Sequence, residues 1–203
     1  MKEQKRENNV LQHLFQEVKQ IPSQFSNSAK ELMKINTLMV SALMLALGTI
    51  LGFVFTVETG IPGAGNFGIS VIAPQLVSAL YGPIVGGIIG GLGDLIDCLL
   101  NGYAFFPGFF LNAILGQMIY GIVLYKKKLT LLRIIVSKIL VAVLINLPLG
   151  TLWQSVLYKK GFWPIFITSL IKQPVQIVVL GILFYMFVSA LKNAKVFEKM
   201  LNK

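Results

Sequence analysis

One cysteine, Cys98, and one histidine, His13, are all this chain has of the two residue types behind most metal sites. An internal disulfide is excluded, as are Cys-rich and His-rich metal clusters. No nucleophile stands in a pattern with a base, no His-Glu motif occurs, and no glycine-rich loop ends in Gly-Lys-Ser or Gly-Lys-Thr. The chain is therefore expected to be no enzyme, to hold no cofactor or metal, and to be unable to use ATP by itself. Charge is also scarce. Only 13% of the 203 residues are Asp, Glu, Lys or Arg, where soluble domains carry about a quarter. The 18 basic residues outnumber the 8 acidic ones, but no basic stripe runs through a soluble surface, so nucleic acid is not expected as a partner.

What the chain has instead is apolar length. With 55% hydrophobic residues and a mean hydropathy of +0.75, it carries more apolar surface than a soluble fold of this size could hide. A lipid bilayer is the solvent that fits. Six candidate spans emerge, at residues 35–57, 69–80, 83–100, 107–125, 131 to about 156, and 164–191. The second is short and is expected to be flanked by protein. Pro148 and Pro174 fall inside the fifth and sixth, where each is expected to kink its helix. The predicted fold is thus an all-α membrane protein of six transmembrane helices. A polar leader (1–34), the membrane domain (35–191) and a basic tail (192–203) divide the chain. Within the leader, Val10, Leu11, Leu14, Phe15, Val18 and Ile21 recur at helical spacing, which suggests an amphipathic helix on the membrane surface.

Charge placement orients these spans. The leader, the segment from Lys126 to Arg133 and the tail together hold 14 Lys and Arg, and all three fall on one side of a six-span bundle. The other side has Lys159 and Lys160 alone. Positive segments stay in the cytoplasm, so both termini are predicted there. Residues 58–68, 101–106 and 158–163 become the external connections, rich in glycine, aromatic and polar residues.

Several constellations lie on this frame. Glycines 82, 86 and 90, and again 87 and 91, recur four apart in the third span, a pattern that lets helices approach closely in lipid. The first span has Ala42 and Ala46 and then Gly48 and Gly52 at the same spacing, open to either internal contact or docking of another membrane subunit. Asp94 and Asp97 share a helix face and need partners, with Lys172, Lys138 or a backbone amide as candidates. Lys172, flanked by Gln173 and Gln176, lies within the sixth span, where a lysine needs an anion: one of those aspartates or a substrate carboxylate. Phe106, Trp153, Tyr158 and further aromatics cluster at the external ends of their spans, with Asn66, Asn112, Asn146 and Gln154 at a similar level. An interfacial belt accounts for some of these, and stacking on a planar ligand could engage others.

The run from Tyr103 through Phe105-Phe106-Pro107-Gly108-Phe109 and Ile119-Tyr120-Gly121 to Lys126-Lys127-Lys128 resembles the substrate-binding S-components of energy-coupling factor (ECF) vitamin transporters, the folate type in particular. The likeness extends back through Leu80-Tyr81-Gly82-Pro83 and Gly93-Asp94-Leu95, and forward through Thr151-Leu152-Trp153 and Leu170-Ile171-Lys172. The resemblance implies an S-component that captures a water-soluble, carboxylate-bearing vitamin at the external face. It implies as partners a membrane T-component, docked through Ala42 and Ala46, and two ATPase subunits. Lys172 would then anchor the carboxylate. Trp153, Phe106 and Tyr158 would hold the ligand body, and Asn66, Asn112, Asn146 and Gln154 would orient it. Folate-type members often carry a basic residue where this chain reads Asn66-Phe67-Gly68, which leaves a smaller vitamin such as pantothenate as an alternative ligand. Two other readings come from different classes: a membrane scaffold that binds no small molecule, and a proton-driven carrier working through Asp94 and Asp97.

Overall fold

The computed structural model describes residues 19–54, 69–102 and 104–193. The amphipathic pattern at 10–18, Asn66, Tyr103, the connection 58–68 and the tail beyond 193 lie outside the described residues. Within them all regular structure is helical: α1 (Ile21–Glu31), α2 (Ile35–Val54), α3 (Ile69–Tyr81), α4 (Pro83–Asn101), α5 (Pro107–Leu124), α6 (Leu131–Tyr158) and α7 (Phe162–Asn193). Five of these, α2 and α4 to α7, are long and apolar enough to cross a membrane. Their outer faces, with Leu132, Ile171 and Met186 among the exposed side chains, are apolar as lipid contact requires.

α3 is the exception in length. At 1.5 Å per residue its 13 residues reach roughly 20 Å, less than the ~30 Å of a hydrocarbon core. It compensates by position. Every side chain from Ile72 to Tyr81 is buried, and Ala73, Leu76 and Val77 lie at the centre of the apolar core with Leu124, Ile134 and Phe184. A helix wrapped by other helices does not have to match the bilayer.

Glycine spacing brings α3, α4 and α5 together. A Cβ at Gly86 would collide with the Ser78 hydroxyl on α3, and one at Gly90 would lie 2.6 Å from the Ala113 carbonyl oxygen on α5. Gly87 and Gly91 face Met118, Ile114 and Phe110 of α5. Glycines 86 and 90 and glycines 87 and 91 therefore make the close helix contacts their spacing suggested, whereas Gly82 serves the turn before α4. α2 divides its small residues by face. Gly48 and Gly52 lie against Ser70 at the start of α3, whereas Ala42 and Ala46 are exposed on the bundle's outside.

At the end of the bundle bearing Lys126, α1 is tied across the α3–α4 turn. The fully buried Ser28 hydroxyl donates to the Tyr81 carbonyl at 2.7 Å and accepts from the Ile84 and Val85 amides at 3.0 and 3.2 Å. It thereby caps two of the amide groups that a helix start leaves without a partner. Gly82 makes this possible: it sits at φ +92°, and a Cβ there would lie 2.8 Å from that of Ser28.

The two prolines behave differently. Pro148 lies in a wide-turn stretch of α6, the π-helix Ala142–Gly150. A proline gives no amide to the carbonyl four residues back and crowds it, and the wider turn relieves that clash. Around Pro174 the helix α7 runs on without a break. α6 and α7 also run slightly longer than the spans expected at 131–156 and 164–191, because α6 ends only at Lys159, in the left-handed region at φ 52°.

Candidate functional site

All six helices from α2 to α7 contribute to one cavity of about 310 Å³. That is near the lower end of the roughly 300–1,000 Å³ typical of small-molecule sites. Gly48 and Thr49 come from α2, Ser70 and Pro74 from α3, Asp94 and Asp97 from α4, Asn112, Gln117 and Tyr120 from α5, Lys138 and Asn146 from α6, and Gln173 and Gln176 from α7. A wall of carboxamides, carboxylates and one ammonium inside an apolar bundle is costly unless something pairs with it.

Lys138 is the most deeply placed charge. It is 4% exposed, its Nζ donates to Gln75 Oε1 at 3.0 Å, and the ammonium stands 5.3 Å from the centre of the Tyr120 ring. One of its three donors is thus used, and Gln75 itself is fully buried on α3. On α4, Asp94 Oδ2 is buried with no hydrogen-bond partner among the described residues. An ion pair is formed between Lys34 and Glu31 at 2.8 Å, away from this cavity. No ion pair joins either aspartate to Lys138, one of the partners considered from the sequence. Ser78 on α3 donates to Gln117 Oε1 at 2.8 Å, fixing the orientation of that amide.

The residues expected from sequence to bind a ligand fall into three groups. Asn112 and Asn146 line the cavity. Trp153 and Phe106 stand behind Asn112: the indole Nε1 donates to Asn112 Oδ1 at 3.2 Å, and the Phe106 and Trp153 rings lie 5.9 Å apart. Gly108 lets the indole lie directly on the start of α5, since a Cβ there would come within 2.5 Å of it. Lys172, Gln154 and Tyr158 are not among the lining residues. Lys172 is half-buried beside Gln173, Gln154 keeps a buried Oε1 with no hydrogen-bond partner among the described residues, and Tyr158 is exposed at the end of α6. Asn66 lies outside the described residues.

Gln75, Gln117 and Tyr120 were not singled out by sequence reasoning, and Lys138 was considered only as a partner for the aspartates. Their signal was a polar or ionisable residue in the middle of an apolar span, the same signal that drew attention to Lys172.

Residues 32–193 match the family described as ECF-type riboflavin transporter, S component. Among curated proteins, the Folate transporter FolT of Clostridium novyi (strain NT) is 30% identical over 154 residues, covering 75% of this chain and 87% of that protein. The Folate transporter FolT of Leuconostoc mesenteroides subsp. mesenteroides is 29% identical over 117 residues, covering 52% of this chain and 63% of that protein. Among solved structures, a crystal structure of FolT bound with folic acid superposes with a TM-score of 0.67 at 29% identity, covering 76% of this chain and 93% of that one. With a family match over most of its length and five membrane-crossing helices, this multi-pass membrane protein belongs to the ECF-type transporter S-component family.

Proposed function

We propose that the chain captures folate, or a closely related carboxylate-bearing vitamin, and hands it to an energised membrane complex. The observation that carries this reading is the cavity built by α2 to α7, with Lys138 and Asp94 both in its wall and no ion pair between them. Similarity to FolT proteins, one of them bound with folic acid, supports folate over the smaller pantothenate. In this reading α2 to α7 all cross the bilayer and both termini are cytoplasmic, so the aromatic end with Phe106, Trp153 and Tyr158 faces outward. Asn112 and Asn146 orient the ligand from the cavity wall, with Asn66 and Gln154 joining them near the mouth. Lys172, one residue from the lining Gln173, draws in the carboxylate.

Partners follow from the absence of any ATP-binding motif in the chain. A T-component docks on the exposed Ala42 and Ala46 face, and two ATPase subunits supply the energy. Reconstitution tests this: proteoliposomes holding the chain, a T-component and both ATPases should accumulate folic acid only with ATP, and those holding the chain alone should not. Accumulation by the chain alone would favour a self-sufficient carrier. Wild-type folic acid affinity in Lys172→Ala would remove its anchoring role. The family description names riboflavin, which supports a second reading in which an isoalloxazine ring fills the cavity. Competition between riboflavin and folic acid separates the two.

A further inference from the structure

Opposite charges line the same cavity without touching. Lys138 enters from α6 and Asp94 and Asp97 from α4, yet no ion pair joins them. Lys138 spends one donor on Gln75, and Asp94 Oδ2 has no partner among the described residues. Two poles kept apart in a low-dielectric site suit a ligand that brings its own donors to one side and its own acceptors to the other. A fused 2-amino-4-oxo-pyrimidine ring has this property. Its ring N3–H and 2-amino group form a contiguous donor edge that a carboxylate accepts bidentately, and its 4-oxo oxygen and neighbouring ring nitrogen form a contiguous acceptor edge that an ammonium can bridge.

We infer that Asp94, with Asp97 beside it, takes the donor edge of such a ring, that Lys138 takes its acceptor edge, and that this pair sets which ring the cavity accepts. The inference rests on the folate reading above and deepens it. The Lys138 ammonium stands over the Tyr120 ring, and Gln75 on α3 fixes the position of its Nζ. The aromatic residues at the mouth have no comparable power to discriminate. Every planar ring offers them a face, whereas donor and acceptor positions separate rings of similar outline.

The 4-amino analogue of folic acid is the appropriate probe, because it replaces the 4-oxo acceptor by a donor and turns the N3–H donor into an acceptor, so it disturbs both edges at once and leaves the side chain unchanged. Calorimetric titration of the purified full chain in nanodiscs should show wild type preferring folic acid over this analogue at least tenfold. Asp94→Asn should weaken folic acid at least tenfold. Lys138→Met should weaken folic acid and reduce the preference, leaving only the part that N3 contributes at Asp94. Wild type that binds both compounds equally overturns the inference even if neither variant folds. Variants that bind folic acid like wild type overturn it too, while the folate reading stands. A Lys138→Met protein that loses affinity for both compounds by the same factor also overturns it, since Lys138 would then only support the fold. Wild type that binds neither compound overturns the inference and the folate reading together.

Discussion

Replacing Ser28 by alanine tests whether α1 is a structural part of the membrane bundle. The hydroxyl is fully buried and makes three contacts, to the Tyr81 carbonyl and to the Ile84 and Val85 amides. Alanine keeps the Cβ that already fits against Gly82, so the change removes polar contacts without adding a clash. Loss of a helix-capping oxygen costs about 0.5–2 kcal/mol, and buried groups left without partners cost about 1–3 kcal/mol more. Some of that loss is shared between the two estimates, which gives roughly 2–3 kcal/mol in all. For a chain of this size, with about 2–4 °C per kcal/mol, the unfolding midpoint should fall by about 4–12 °C. Ser23 on the same helix is the control, because its hydroxyl bonds only to the nearby Gln20 carbonyl, at 2.7 Å, on the exposed side. Thermal unfolding by circular dichroism in nanodiscs gives the midpoint, and hydrogen exchange at the Ile84 and Val85 amides gives the local effect. A Ser28→Ala protein with the midpoint and exchange rates of Ser23→Ala would refute the reasoning.

Three other outcomes follow from the same geometry. Gly90→Val should disrupt the α4–α5 contact, at a cost of at least about 1–3 kcal/mol, because its Cβ would meet the Ala113 carbonyl oxygen at 2.6 Å. Gly93→Ala should be tolerated, with only Leu45 Cδ1 at 3.5 Å; the unfolding midpoints of the two variants check this. Ala42→Leu combined with Ala46→Leu should leave folding and vitamin affinity unchanged, since both side chains are exposed, while abolishing co-purification with a T-component. The third concerns Lys34, whose Nζ donates to Glu31 Oε1 at 2.8 Å. That hydrogen bond, reinforced by the carboxylate charge, raises the lysine pKa above its usual 10.5. A raised folded pKa means the pair contributes fully below pH 10.5 and is lost as pH climbs through the higher folded value. Titration of Lys34 by NMR should therefore show its midpoint falling toward 10.5 in Glu31→Gln.

The helices were legible because apolar length and glycine or proline punctuation are properties of the sequence itself. The spacing of glycines 86 and 90 and of 87 and 91 announced two close contacts, and both are present on α4. The shortness of the second span already implied flanking protein, and the residues of α3 from Ile72 to Tyr81 are buried. The site was less legible, because periodicity identifies a helix and leaves its rotation about its own axis unknown. Lys138 and Lys172 look alike as lone lysines in apolar spans, yet one lines the cavity and the other does not. Gln75 could be understood only once α3 was known to sit at the centre, where a carboxamide can steady a lysine from another helix. Ser28 gave no sequence signal of its role, since it lies 53 positions from Tyr81 along the chain.

Titration of the purified chain in nanodiscs with folic acid, riboflavin and pantothenate is the most direct test of the central claim that it is a vitamin-capturing subunit. Saturable binding of folic acid, one molecule per chain and stronger than either competitor, is the predicted result. Saturable binding of none of the three would contradict the claim and leave the bundle a membrane scaffold.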